Sequence, residues 1–280
     1  MKLELFVEQI KKLPPAPQIL PKLMKLLASE DSSFDEITQL VSVDLSLTAQ
    51  VLRLSNSAYY GMGSKTYDLE EAIQRIGFKE VYKLIALICS KELMDHEHET
   101  FGLEKGELWR YSLGSAIVME DLAADLGVVP TTAYTIGLLH TIGKIAINQA
   151  STGIYKEVFE KLESEEGKTL ADAEKEVLGF TNAQVASFFL KKWDFTAEIY
   201  WPIEYQFKPT IAEGYKKEAC MLHLSIWIAS HLGVNGGRGV WAFELNSKAI
   251  KFLKFSEMQV QEYLLKAHDN WQKAQELLSI

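Results

Sequence analysis

The chain has 280 residues, 48% hydrophobic and 24% charged, enough apolar material to pack a core and too much for disorder to dominate. Its 29 Lys and Arg against 38 Asp and Glu leave a net charge of −9, which weighs against non-specific nucleic-acid binding because phosphate backbones are repelled. Cys89 and Cys220 each sit in an apolar helical stretch, no apolar run reaches bilayer length and Met1–Leu5 is not a signal peptide, so a cytoplasmic protein without a membrane partner is expected.

Helical periodicity runs along nearly the whole chain. Lys2–Leu13 reads as an amphipathic helix stopped by Pro14, Pro15 and Pro17, because proline lacks the donor a helix interior needs. A second helix is expected over Gln18–Ala28. Ser33 with Glu36 forms a capping box, in which each side chain satisfies a free backbone donor of the other. Asp44 caps the helix of Leu45, Val51 and Leu52. Asp68 with Glu71 opens the next helix and Gly77 ends it. Phe78–Leu93 completes an N-terminal group. Asp95-His96-Glu97-His98-Glu99 is polar and aperiodic, and reads as a solvated link; alternating residues on a helix point apart, so it is a poor chelate.

A long helix is expected over 104–126, closed by Gly127, and Pro130 opens the helix carrying Gly137-Leu138-Leu139-His140. Further helices are expected over 152–166, 170–178, 182–193, 197–207, 215–232 and 257–278, the last with a Ser256–Gln259 capping box. No alternating strand pattern or fixed-period repeat stands out, so the fold class is all-α.

The most informative string is Gly137-Leu138-Leu139-His140-Thr141-Ile142-Gly143-Lys144. It resembles the G-L-L-H-D-I-G-K string of the HD superfamily, helical metal-dependent phosphohydrolases. There the adjacent His and Asp ligate a metal that activates water for attack on phosphorus. Here Thr141 stands in the Asp position, and by this string alone His140 also reads as a satisfied core histidine. Leu13-Pro14 with Pro17, Asp44-Leu45-Ser46-Leu47, Val51–Ser57 ending in Asn56-Ser57, Ala72-Ile73 and Ile76-Gly77 extend the likeness. Together they resemble the N-terminal half of the HDOD (HD-related output domain) family, with Leu45 where proline is usual. The resemblance covers nearly the whole chain. It implies a single domain over 1–280, with an N-terminal helical subdomain over 1–98 and a degenerate HD-like helical lobe over 99–280.

The resemblance also carries the metal ligands over, position by position. Tyr111 stands where W-R-H-S-L has His, Asn182 replaces the His of G-F-D-H-A-E-V, and Gln206 and Phe207 replace the His pair of I-R-Y-H-H-x-P. Ile226 replaces the closing Asp of V-H-L-A-D. His140 alone survives as a ligand type, whereas a zinc or di-iron site needs at least three N, O⁻ or S⁻ ligands. The expectation is the HD-type fold without metal catalysis, no cofactor, and a vestigial site or polar ligand pocket of Tyr111, His140, Thr141, Lys144, Asn182, Gln206 and Ile226.

Several other features invite a site reading beside a bland one. Gly61–Lys65 looks faintly like a phosphate loop but reads as a plain loop, since its Lys and Ser are in the wrong order. Gly236-Gly237-Arg238-Gly239 is a turn that could make an anion-binding nest with Arg238. His223 and His231 roughly share one helix face without an acidic or Cys partner one turn away, and read as packing residues. Trp241, just after the glycine loop, is the best candidate for an exposed aromatic anchor on a partner surface, with Arg238 beside it.

The resemblance therefore implies a bacterial signal-transduction module without chemistry of its own, acting through signalling proteins or a small ligand such as a nucleotide. With no receiver or cyclase segment in the sequence, its input would come from another polypeptide or a small ligand. The competing expectation is a metal-dependent phosphohydrolase with non-standard ligands.

Overall fold

The computed structural model describes residues 2–8, 10, 17–29, 33–57, 65–150, 153–164 and 166–278. Among them every regular element is helical, and the isolated β-bridge pairs His98 with Leu103. The all-α class expected from the periodicity is the class observed. Pro14, Pro15, the end of the first expected helix and Gly61–Ser64 lie outside the described residues.

The chain divides into two compact units, residues 16–92, and residues 1–15 with 93–280. The first helix, α1 (Leu3–Glu8), groups with the larger unit. Within that unit Phe6 is buried, with its ring 5.0 Å from that of Phe180.

The smaller unit contains α2 (Ile19–Ala28), α3 (Phe34–Ser42), α4 (Leu45–Ser55), α5 (Leu69–Ile76) and α6 (Phe78–Met94), whose last two residues fall in the larger unit. Its local signals hold. The Ser33 hydroxyl accepts from the Glu36 N–H at 3.3 Å, and the Glu36 carboxylate accepts from the Ser33 N–H at 3.0 Å. Asp44 caps α4 through the N–H groups of Ser46 and Leu47, and Asp68 caps α5 through that of Glu71. Each such cap is worth about 1 kcal/mol. After α4 the Asn56 amide accepts from the Thr66 N–H and donates to the carbonyls of Thr66 and Leu52, at 2.8–2.9 Å. Leu20, Leu23, Ile37, Val41, Val51, Ile73 and Ile85 form the unit's apolar centre.

Burial also decides the thiol chemistry. It pushes the Cys89 thiol up to about 12 and the Cys220 thiol up to about 11, so neither is a thiolate at neutral pH. Native protein is expected to react negligibly with a thiol reagent at pH 8, and denatured protein to show both thiols. Rapid native labelling would contradict this burial.

The larger unit continues with α7 (Glu107–Leu126), α8 (Pro130–Leu139), α9 (Ile142–Ala150), α10 (Ile154–Ser164), α11 (Leu170–Val177) and α12 (Asn182–Lys192). It closes with α13 (Ala197–Glu204), α14 (Lys216–Ala229), α15 (Ser247–Leu253) and α16 (Glu257–Leu278). Helix α8 is buried from Thr131 to Leu139, as expected of a helix apolar on all sides. It lies tightly on α7, where Gly137 meets the backbone of Ser115 and Ala116. Gly143 of α9 likewise meets the Asn182 carbonyl at the start of α12.

Three details depart from the sequence reading. His140 ends α8 and Thr141 separates it from α9, with the Lys144 N–H donating to the Thr141 carbonyl in a tightened turn. Helix α15 was not expected; Asn246 caps it through the N–H groups of Lys248 and Ala249, and it buries Ala249 and Leu253. The 95–99 segment is not solvated throughout. His98 is buried, its Nε2 lies 3.2 Å from the Met94 carbonyl, and the 3-10 turn after it buries Phe101. The apolar body of an imidazole lets this polar-looking stretch join the core.

Candidate functional site

Helices α7, α9, α12 and α14, the turn between α8 and α9 and the turn after α13 bring all seven expected site residues together. Tyr111, His140, Thr141, Lys144, Asn182, Gln206 and Ile226 line one cavity in the larger unit. Half-buried Phe207, Val240, Ala242 and Phe243 also line it, as do the 169–171 stretch at the start of α11 and Gly239. The cavity volume is about 40 Å³. That is room for about three waters.

Each lining group has a defined hydrogen-bonding state. The His140 Nδ1–H donates to the Gly137 carbonyl at 2.7 Å, which leaves Nε2 as a lone pair without a partner among the described residues. Burial pushes the His140 imidazole down to about 3, so it is neutral at physiological pH. Thr141 does not offer a free hydroxyl, because its Oγ1 lies 2.6 Å from Ser112 Oγ. Asn182 is not free either: its amide nitrogen donates to Glu174 Oε1 at 2.8 Å, and its backbone N–H donates to Glu174 Oε2 at 2.8 Å. Gln206 Nε2 donates to the His140 carbonyl at 3.4 Å, while its buried Oε1 has no partner among the described residues.

Lys144 is 6% exposed and places its ammonium in the cavity wall. Nζ donates to the Gly236 carbonyl at 2.6 Å and lies 5.3 Å from the Phe101 ring centroid and 5.8 Å from that of Tyr111. Burial pulls this ammonium down to about 8, opposed by the negative charge of Glu174.

Glu174 is the site residue that the sequence reading missed. It is fully buried on α11 and accepts from Asn182 and from the Tyr155 hydroxyl. Burial raises its carboxyl, and the donors from Tyr155 and Asn182 and the Lys144 charge pull it back. An acid beside the apolar Leu170, Ala171 and Ala173 is the signal that could have marked it.

The remaining candidates fall outside the cavity. Arg238 is paired with Glu163 at 3.0 Å and stacked 4.2 Å from the Phe159 centroid. Within the 236–239 turn, Asn235 Oδ1 takes the Gly237 N–H and the Phe101 carbonyl takes the Arg238 N–H, so neither donor is free for an anion. His223 is a bridging core residue, donating from Nδ1 to the Gln206 carbonyl and accepting at Nε2 from the Asn246 N–H. Trp241 is 73% exposed and lines an open groove with Trp227, His231 and Phe243.

This donor set does not fit a divalent cation. One neutral imidazole faces the cavity, Phe207 and Ile226 have no lone pair, and Glu174's oxygens are engaged by Tyr155 and Asn182. The Lys144 ammonium already carries positive charge in the wall. No group of three or more His, Cys, Asp or Glu among the described residues is arranged to hold a metal.

The neutral His140 has a consequence for stability. The unfolded chain protonates this residue near 6.5, while the folded chain resists protonation until about 3. Below pH 6.5 the unfolded state therefore binds the extra proton, and stability falls as pH falls, by at most about 1.4 kcal/mol per unit from this group. Denaturant titrations from pH 7 to 4 are expected to show this slope, reduced in His140→Gln. An identical slope in the variant would contradict the assignment.

The helical fold and the His140-centred cavity define a protein of the HD-like helical class. The chain belongs to the HDOD family, whose HDOD domain pattern matches residues 13–209. A Shewanella amazonensis protein provisionally named a phosphohydrolase has a similar structure, with 26% identity, coverage of 96% of this chain and 95% of that one, and a TM-score of 0.71. A Marinobacter aquaeolei protein provisionally named for signal transduction shares the fold at 23% identity, with coverage of 100% and 62% and a TM-score of 0.74. An uncharacterised Treponema pallidum protein is 26% identical over 157 residues, 55% of this chain. The matched stretch spans only 29% of that relative's length. No described helix is long and apolar enough to cross a membrane.

Proposed function

We propose that this chain is a non-catalytic regulatory module of bacterial signal transduction, acting by binding a protein partner or a small ligand. The observation that carries the reading is the replacement of metal donors around His140. Tyr111, Thr141, Asn182, Gln206 and Ile226 line the cavity at the positions matched to HD ligands, and a lysine ammonium lies among them. A cation placed there would leave water without a matched carboxylate free to offset it, at a cost of several kcal/mol. Membership of the HDOD family and the name of the Marinobacter relative agree with a signalling role. The name of the Shewanella relative favours the other reading, a metal-dependent phosphohydrolase with non-standard ligands.

A phosphodiesterase assay with added manganese, iron or magnesium separates the two. The expected result is no turnover above buffer, and none in Thr141→Asp either, because one carboxylate does not supply the remaining ligands or their supporting shell. Metal-stimulated turnover that disappears in His140→Ala would overturn the proposal.

A further inference from the structure

Resting on that non-catalytic reading, we propose that the His140 cavity is a receptor for a small hydroxylated monocarboxylate, and that its occupancy is passed to the Trp241 surface through the Lys144–Gly236 hydrogen bond. Four polar functions with hydrogen-bonding capacity to spare belong to residues that line the same small space. Gln206, only 1% exposed, presents an unpartnered Oε1, and His140 presents the Nε2 lone pair. Both accept, so the occupant must donate. The Tyr111 hydroxyl has no partner among the described residues, and the Lys144 ammonium has hydrogens beyond the one given to Gly236.

Charge and size narrow the class. One ammonium calls for an anionic oxygen, but Glu174 already acts on Lys144, so a dianion such as phosphate would be over-compensated in a buried space. A cationic ligand is repelled by Lys144. A carboxylate without a hydroxyl has no hydrogen for either acceptor, whereas one hydroxyl supplies a hydrogen to Gln206 Oε1 or to His140 Nε2. The volume of about 40 Å³ holds a molecule of few heavy atoms.

The same contacts supply the transmission. Lys144 Nζ holds the Gly236 carbonyl at 2.6 Å, at the start of the segment that carries Trp241. Val240 and Phe243 line both the buried cavity and the open groove containing Trp241. A carboxylate bound through another Lys144 hydrogen draws the ammonium toward the cavity and strains its bond to the Gly236 carbonyl, and Val240 and Phe243 carry the adjustment to the groove.

The test titrates the full chain with glycolate, and in parallel with acetate, glycolamide and inorganic phosphate, by calorimetry and indole fluorescence. Glycolate is expected to saturate with a dissociation constant of about 0.1–1 mM, as a tiny ligand with good contacts allows. Acetate and glycolamide, each lacking one of the two functions, are expected to bind at least about tenfold more weakly. Gln206→Leu and Lys144→Met are expected to weaken glycolate by a similar factor. The wild-type emission change is expected to vanish in Trp241→Phe while glycolate affinity stays unchanged. No saturation by glycolate up to about 50 mM, or equal binding of acetate or phosphate, would overturn the ligand class whether or not the variants fold. Binding that leaves Trp241 emission unchanged would overturn the transmission. Neither result bears on turnover, so failure here is distinguishable from failure of the non-catalytic reading.

Discussion

Gly143→Ala is expected to destabilise the protein by about 3 kcal/mol or more, at the upper end of overpacking substitutions. A Cβ at this position would lie 1.8 Å from the Asn182 carbonyl oxygen and 3.0 Å from the Ala186 nitrogen. These are backbone atoms of α12, so no side-chain rotation relieves the overlap. The two helices must separate, and Asn182 moves away from Glu174 as they do. At this chain size the loss corresponds to a fall in Tm of about 6–12 °C. A thermal melt checks it, and a Tm within a degree or two of wild type would contradict the close approach of α9 and α12. The substitution tests the fold beneath the cavity independently of any ligand.

Glu174→Ala is expected to cost a comparable or larger amount, about 3–5 kcal/mol, because it removes one partner from a buried charged network. The Asn182 amide and N–H and the Tyr155 hydroxyl lose their acceptor, and the Lys144 ammonium loses its opposing charge. Glu174→Gln keeps the shape and one acceptor, so it is expected to be milder. It also removes the negative charge, so the Lys144 ammonium is expected to titrate below its value of about 8. Denaturant unfolding of the two variants, with amine-selective labelling against pH, measures both effects. Equal stability of Glu174→Ala and wild type would show that this network does not hold α10, α11 and α12 together.

What the sequence revealed follows from the range of each interaction. The caps at Ser33, Asp44, Asp68 and Ser256 act within a few residues, and their chemistry is written in adjacent letters. Helix α15 was missed because it has only seven residues, with Ala249 and Leu253 as its buried pair, too few to establish a period. The cavity lining was legible by resemblance, but the state of each lining group was not. Thr141 is tied to Ser112 from 29 residues away, and Lys144 to Gly236 from 92. Glu174 escaped notice because Tyr155, 19 residues earlier, and Asn182, 8 residues later, define its role. Gly137 and Gly143 were visible as letters of a string, while the helix backbones they accommodate come from other parts of the chain. His98 looked like part of a solvated link because polarity was read without the partners that bury it.

The central claim is that the residues around His140 no longer constitute a metal site, and elemental analysis tests it most directly. Protein purified without chelator and without a metal-affinity resin would be measured for transition metals and magnesium, beside His140→Ala prepared identically. The account predicts metal far below one equivalent per chain, with no difference between the two proteins. Near-stoichiometric metal in the wild type that is lost in His140→Ala would contradict it.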